Sequence, residues 1–426
     1  MELYEVLKKA VTEVNKAVET KDSKVCLHLL RALPPLRRNA SLSSAASLYK
    51  ALFQKDPNWG QSDQEANLGA NSAEAEVFIG LLICMVLTKE KLHEASQELA
   101  QSLLDKKVTR TAQPLVAKLY YYIALSQEKR GHLDEKAFMQ YYRAACLKHD
   151  TFTQATLVNI ILRAYLTTKR IRQAQEFAEK TGFPESAPYP EIARHQFYLG
   201  QINAFRLNYP EAQNRLVQAQ RKAPENTAEG FRRTVQKLRV VVELLMGEIP
   251  SRKTLVGYKG LEAYAELVRA VRSGEIERYN HVLTQYQSTF HEDQNLSLVA
   301  RLRHIVIKAG LRKINIAYSV ISLHDIAGKL GLPIEDTEFV VAKAIRDGVI
   351  EATIDHEQKL LRSKPIEDVY RTIEPQQTLQ KRIAFTMDLR NDAVRAMQFP
   401  QEKKTEDKTT EEEEIVISDV EDELEF

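Results

Sequence analysis

Residues Ile314 to Leu361 read INIAYSVISLHDIAGKLGLPIEDTEFVVAKAIRDGVIEATIDHEQKLL. The opening stretch, Ile314 to Ile321, is short and rich in β-branched residues, which predicts a strand. Ser322-Leu323-His324-Asp325 then starts a helix, with the serine as N-cap and an acid three residues on, an aspartate variant of the capping box. That helix ends at Gly331, with Pro333 beyond. A second runs from about Glu335 to Asp347 and stops at Gly348. Val349 to Ile354 alternates as a strand, Asp355-His356-Glu357 turns it, and Lys359-Leu360-Leu361 returns. Strand, helix, turn, helix and hairpin, in that order, predict a winged helix.

Upstream, the helical period dominates. Leu3, Val6, Leu7, Ala10, Val11 and Val14 follow the spacing of one buried helical face. Gln54 to Ala75, with Asp56-Pro57-Asn58, Gly60 and Gly69, interrupts the pattern as a linker in which Trp59 is the one large anchor. From Ala75 to Gly310 helical patterns come in pairs with short breaks. The sharpest is Ile192 to Phe205 followed by Pro210 to Ala223, with Pro210 expected at the first helical position and Pro224 closing the pair. Paired helices at a period drifting between roughly 30 and 45 residues predict a tetratricopeptide-like solenoid, because one pair cannot bury its apolar face alone. The fold class is therefore mostly α.

The 60 Lys and Arg against 58 Asp and Glu leave a formal charge of +2 on 426 residues. That balance hides an asymmetry: Gln401 to Phe426 holds twelve acids and three lysines, so a basic body carrying +11 is joined to a tail of −9. Three scattered cysteines, Cys26, Cys84 and Cys146, do not make a disulfide framework and point to a reducing compartment, with cytoplasm and nucleus both open. The longest apolar run, Val77 to Leu87, is far short of the roughly 18 residues of a membrane span. Glu2 and Glu5 stand where a signal peptide is positive, so a soluble chain is expected to begin at or near Met1.

Past Pro375 one more helix is predicted, to Phe399. Leu379, Ile383, Met387, Val394 and Met397 recur on it at near-heptad spacing, a stripe that invites helices of other chains. The competing reading docks it back onto its own solenoid. In the tail, Ile415-Val416-Ile417 is a β-prone triplet among acids, followed by Ser418-Asp419-Val420-Glu421. It is similar to a SUMO-interacting motif, a short strand that adds to a sheet edge, and Ser418 resembles a casein-kinase site. The competing reading is a disordered, solubilising tail.

A helical solenoid running into a winged helix is the layout of the PCI family. The words are closer still. VQKLRVVVELLMGEIPSR (Val235 to Arg252), LRHIVIKAG (Leu302 to Gly310), ISLHDIA (Ile321 to Ala327) and EFVVAKAIRDGVIEATIDHE (Glu338 to Glu357) resemble segments of the PCI-containing non-ATPase subunit family of the proteasome regulatory-particle lid. Glu374-Pro375-Gln376 and Met397-Gln398-Phe399-Pro400 continue the likeness. It covers roughly Glu191 to Pro400, and more loosely the helices before. The resemblance implies a non-catalytic scaffold whose winged helix pairs edge to edge with other PCI-domain lid subunits and whose last helix joins a common bundle. Carried onto this chain, the edge falls to Tyr318, Val320, Ile321, Val349, Ile350 and Ile354, and the bundle contact to Leu379, Ile383, Met387, Val394 and Met397.

Catalytic patterns do not assemble. The ten histidines never come closer than His281 and His291, so neither an HExxH nor a His-x-His metal pair exists. Cys26 and His28 have no second ligand cluster, and Gly328-Lys329 lacks both a glycine-rich loop and the hydroxyl a phosphate loop requires. Ser47-x-x-Lys50, Ser126-x-x-Lys129 and Lys180-Thr181-Gly182 echo a penicillin-binding signature without its Ser-Asp-Asn element. No cofactor or metal is expected. The rival from another class is a PCI subunit of the signalosome, of translation initiation or of an RNA- or chromatin-associated complex, touching nucleic acid through its basic body. Arg301, Arg303, Lys308, Arg312 and Lys313 favour it, whereas Glu335-Asp336-Thr337-Glu338 at the start of the second winged-helix helix repel a phosphate backbone. Protein interaction is the reading taken. The expected divisions are N-terminal helices (1–53), linker (54–75), helical repeats (76–189), PCI domain (190–375, its winged helix from 314), bundle helix (376–400) and acidic tail (401–426).

Overall fold

A computed structural model of the chain describes residues 2–20, 23–53, 72–106, 109–131, 133–224, 228–252, 255, 257, 258, 260–364 and 369–398. These fall into two units, 1–363 and 364–426. The linker residues 54–71, with Trp59, and the tail, with Ile415, Val416, Ile417 and Ser418, lie outside the described residues.

The first unit opens with α1 (Glu2–Thr20), α2 (Ser23–Asn39) and α3 (Leu42–Phe53). On α1, Leu7, Ala10, Val11 and Val14 are buried, but Val6 is exposed, so the apolar face is narrower than its spacing predicts. Helix α4 (Ala73–Lys89) starts where Ser72 accepts a hydrogen bond from the Ala75 amide at 3.3 Å, so its first turn occupies the end of the expected linker. It is buried on nearly every side, and neighbours α1, α2, α3, α5 (His93–Leu104) and α6 (Gln113–Lys129) surround it, which is why its sequence is a continuous apolar run. No described helix is long and apolar enough to cross a membrane.

Helices α6 to α11 form the predicted pairs: α7 (Glu135–Leu147), α8 (Thr151–Thr167), α9 (Ile171–Lys180), α10 (Tyr189–Phe205) and α11 (Tyr209–Lys222). Between α10 and α11 the packing is closest. A Cβ on Gly200 would lie 2.9 Å from Leu216 Cγ, and Ala212, Leu216 and Ala219 are fully buried against it. Pro210 sits one residue into α11, after Tyr209, where its missing N–H still costs no helical bond.

Five of the turns share one geometry. Lys91, His149, Lys169, Leu207 and Gln294 all have φ between 52° and 72°. After each, the next amide donates to the carbonyl five residues back: Leu92 to Leu87, Asp150 to Ala145, Arg170 to Tyr165, Asn208 to Asn203 and Asn295 to Phe290, at 2.8–3.0 Å. This is the Schellman closure, with side-chain-bearing residues where glycine is the unstrained choice. Leu207 is 61% exposed, so little burial is lost if it is removed. Leu207→Gly is expected to raise stability by ~0.5–1 kcal/mol after the entropy of glycine is counted; a denaturation midpoint that stays put or falls would refute the strain.

The apolar interior of this unit is two clusters, one running from Leu7 to Ile202 and the other from Ala204 to Leu361, so the change-over falls inside α10. His195, on the same helix, is buried and stacks on Phe183 with ring centroids 4.1 Å apart. Burial, reinforced by Arg215, pushes its pKa down to about 4. A base depressed in the folded state binds its proton more readily when unfolded, so stability falls as pH drops below about 6.5 and the loss is complete below about 4. At one pKa unit per 1.36 kcal/mol, roughly 2 kcal/mol is lost by pH 5. Denaturation at pH 7 and pH 5 is expected to show that difference in the wild type and to show it shrunken in His195→Phe.

The second cluster is built from α12 (Glu229–Met246), α13 (Glu262–Ser273), α14 (Ile276–Gln285), α15 (Gln287–Glu292), α16 (Leu296–Arg301) and α17 (Arg303–Ala317). A partly buried polar staple joins α12, α13 and the turn between α15 and α16: Tyr264 donates to Asp293 at 2.9 Å, Lys237 pairs with Asp293 at 2.8 Å, and Asn295 donates to Tyr264 at 3.1 Å. The strand expected from Ile314 is not there. Helix α17 continues to Ala317, because Val306, Gly310, Leu311 and Ile314 form one buried helical face, and tertiary packing overrides the β preference of the isoleucines.

Strand β1 is only Val320–Ser322; α18 (Leu323–Leu330) and α19 (Ile334–Arg346) follow, then β2 (Ala352–Asp355) and β3 (Leu360–Ser363). Ser322 caps α18 as predicted, accepting from the Asp325 amide at 3.1 Å and donating to the Asp325 carboxylate at 2.7 Å. Gly331 (φ 64°) ends that helix and Gly348 (φ 69°) follows the next. The sheet is antiparallel in the order β1-β3-β2, with Ile321 opposite Leu361 and Ile354 opposite Leu361 on the other side. Val349 and Ile350 precede the hairpin instead of joining it: the Val349 amide is spent on the Ala344 carbonyl at 3.0 Å, closing α19.

In the second unit a short 3₁₀ turn, Val369–Arg371, leads to α20 (Glu374–Met397), with Pro375 in its first turn.

Candidate interaction surfaces

The two free edges of the winged-helix sheet are β1 and β2, since β3 is paired on both sides. Along β1 the ladder alternates. Ser363 donates to the Ser319 carbonyl and Leu323 to the Lys359 carbonyl, both at 2.8 Å, so Ser319, Ile321 and Leu323 face β3. Val320 and Ser322 therefore turn their main-chain groups to the open edge. Side chains divide the predicted set. Tyr318 and Val320 are exposed, Val349 and Ile354 half-buried, and Ile321 and Ile350 sit in the core. What the two buried isoleucines supply is the rigidity of the edge, not a contact surface. One residue escaped the sequence reading: Ile316, at the end of α17, is exposed beside the strand. Its signal, a large aliphatic between Asn315 and Ala317, was absorbed into the supposed strand. Lys329 covers the Tyr318 ring at 3.9 Å and donates to its hydroxyl.

Helix α20 buries none of its residues. Leu379 (57% exposed), Ile383 (62%), Met387, Val394 and Met397 lie on one strip, as predicted. A second strip was missed: Phe385 (68%) and Leu389 (59%), at the i, i+4 spacing, continued by Ala393 and Ala396. At about 100° per residue the two strips together sweep roughly 200° of the helix. That is wider than the stripe of a two-helix seam.

The basic patch is largely committed internally. Arg301 donates to the Phe205 carbonyl at 3.4 Å, Lys313 to the Ser273 carbonyl at 3.1 Å, and Lys308 pairs with Asp347 at 2.9 Å. Hydrogen bonds from Lys308 and Arg346 hold the Asp347 carboxyl below its ordinary range. On α19, Glu338 is taken by His356 at 2.6 Å, and Phe339 stands exposed on the outer face where a base-reading residue would be needed. Among the described residues no group of His, Cys, Asp and Glu is placed to hold a metal.

A family model described as PSMD3-like, N-terminal TPR repeats, matches residues 3–268. The chain belongs to the 26S proteasome non-ATPase regulatory subunit 3 family. A PCI domain model matches residues 283–365, which include all three strands. A model of the C-terminal region of a proteasome regulatory subunit matches 368–425, which include α20. Relatives named as probable 26S proteasome non-ATPase regulatory subunit 3 include one from Anopheles stephensi, 40% identical over 417 residues, covering 91% of this chain and 83% of the relative. One from Dictyostelium discoideum, named 26S proteasome non-ATPase regulatory subunit 3, is 36% identical over 429 residues, covering 92% and 85%. Homolog A from Arabidopsis thaliana is 40% identical over 341 residues, covering 77% and 70%. The assignment rests on the family model over residues 3–268 and on relatives that cover most of the chain.

Proposed function

We propose that this chain is a non-catalytic structural subunit of the proteasome regulatory-particle lid. It holds neighbouring PCI-domain subunits in register, in cytoplasm and nucleus, so that ubiquitin removal, unfolding and translocation into the core are coupled. The observation that supports this reading is the β1 edge: a three-residue strand paired with β3 on one side of the sheet, with Tyr318 and Val320 exposed along it and Ile316 exposed just upstream. An open edge is a template for a neighbour's strand, and main-chain hydrogen bonds supply the contact. Its shortness keeps it from pairing indiscriminately.

Val320→Pro tests this. Proline removes an outward N–H and leaves the bonds to β3 in place, and sheet edges tolerate it. The variant is expected to melt within a few degrees of wild type yet to recover other lid subunits at least tenfold less well in quantitative co-purification. Wild-type recovery would remove the edge from the reading. Recovery of nucleic-acid proteins in place of proteasome subunits by the unmodified chain would overturn the scaffold reading itself and revive the rival.

A further inference from the structure

An open groove of about 920 Å³ lies beside α9, at the upper end of the size range of ligand sites. Three separate stretches of chain bring cations to it: Lys169 and Arg172 from the α8–α9 turn and the start of α9, Arg206 from the α10–α11 turn, and Arg301 from the end of α16. Ile171 and Phe205 form part of its apolar wall. Ile171 packs on the first core and Phe205 on the second, so the groove lies where the two cores meet.

The positive charge of the groove is not answered from within. Arg170, also in the lining, is spent on Glu135 and on the Thr168 hydroxyl at 2.9 Å. Arg301 is half-buried and gives one N–H to the Phe205 carbonyl at 3.4 Å. Lys169, Arg172 and Arg206 are exposed, and among the described residues none of them meets a carboxylate. Glu176 is the only acid among the described lining residues. Elsewhere in the same region the helices settle such charges locally: Arg215 pairs with Glu211 at 2.8 Å, Arg233 with Glu229 at 3.1 Å and Arg239 with Glu243 at 2.7 Å. The excess beside α9 is therefore a local exception. A carboxylate would bring one charge, so an acidic peptide would need several residues inside the groove to balance it. A phosphate group brings roughly −1.5 to −2 with three acceptor oxygens, and guanidinium forks match those oxygens in pairs. Two phosphates on one compact molecule suffice.

We infer that the groove between the α8–α9 turn, the α10–α11 turn and the end of α16 binds a small polyphosphate, a compact molecule carrying two or more phosphate groups, through Lys169, Arg172, Arg206 and Arg301. Lys169 and Arg172 stand on the side of the first core and Arg301 on the side of the second, so the bound anion clamps the two together. A ligand held by the folded chain alone stabilises it by mass action. This site is distinct from the sheet edge and from α20, and does not depend on the lid assignment.

The test titrates the full-length chain with inorganic tripolyphosphate by calorimetry, with citrate as the carboxylate control. Lys169→Glu combined with Arg206→Glu reverses two exposed cations of the groove, and Arg172→Gln is the milder change should that pair fail to fold. Arg269→Glu combined with Arg272→Glu reverses two exposed arginines of α13 outside the groove, and circular dichroism verifies every fold. Tripolyphosphate is expected to saturate one site. The groove pair weakens it at least tenfold, Arg172→Gln at least threefold and the α13 pair less than twofold, and citrate binds at least tenfold more weakly. Bound tripolyphosphate also slows hydrogen exchange in both α9 and α16. The inference falls if binding does not saturate, if the folded groove variants bind as wild type, or if citrate binds as tightly. It falls equally if the α13 pair costs as much as the groove pair, for tripolyphosphate or for a single-stranded RNA, since that spreads the attraction over the whole basic body. Unchanged exchange in either helix would overturn the clamp.

Discussion

Gly310→Ala is expected to destabilise the second core by ~3 kcal/mol, the upper part of the range for overpacking. The reason is a backbone-to-backbone contact. A Cβ on Gly310 would lie 2.7 Å from the Gly274 carbonyl oxygen and 2.6 Å from Leu330 Cδ2. From the other side, a Cβ on Gly274 would meet the Gly310 amide nitrogen at 2.6 Å, and Gly274 also has φ of 72°, where alanine is strained. Neither partner is the far end of a flexible side chain, apart from Leu330, so relief requires the C-terminus of α13 to separate from α17. That junction joins the helical repeats to the winged helix, and its loosening should lower the co-purification of lid subunits as well as the melting temperature. Gly328→Ala is the control of opposite sign. It lies in α18 with nothing within 4 Å of an added Cβ, so it is expected to stabilise by ~0.5–1 kcal/mol through helix propensity. Because a chain of this size need not unfold in one step, the reading is taken from hydrogen exchange of the α13–α17 amides together with calorimetry. Equal exchange in Gly310→Ala and wild type would refute the contact.

The second large effect is on assembly. Leu379, Ile383 and Met387 each bring roughly 1.5–3 kcal/mol to a bundle that buries them fully. Replacing all three by aspartate is expected to weaken incorporation more than a thousandfold, since every 1.4 kcal/mol is a factor of ten. Because none is buried in the chain itself, the helical signal and the melting of the isolated subunit should stay unchanged. Phe385→Asp with Leu389→Asp separates one neighbour from two. If α20 is enclosed on both strips, this pair costs incorporation too; if only the predicted stripe is used, the pair is silent. Wild-type incorporation of the triple variant would remove α20 from the interface.

The two cases show what the sequence made legible and what it did not. The winged-helix order was readable because each boundary has a local chemical cause: Ser322 caps, Gly331 and Gly348 terminate, and Pro375 opens the last helix. The strand at Ile314 was misread for want of any such marker. Ile314, Ile316 and Ile321 look alike in a list of residues, and only packing against Val306 and Gly310 makes the first a helical core residue. Gly310 itself looked like a break between two kinds of structure, whereas it is a close approach inside a continuous helix. The second strip of α20 was hidden by reading heptads alone. Asn159 and Glu191, which meet across 32 residues, had no sequence signal at all.

The change-over of the interior within α10 has a consequence for how such a chain can be rearranged in evolution. Ile202 belongs to the first core and Ala204 to the second, two residues apart on one unbroken helix. A recombination event that exchanged either half for a foreign domain would have to cut or duplicate α10, stranding one of its faces in water. The solenoid and the PCI region should therefore be inherited as a single block, and modular exchange should be confined to the segments on either side of it.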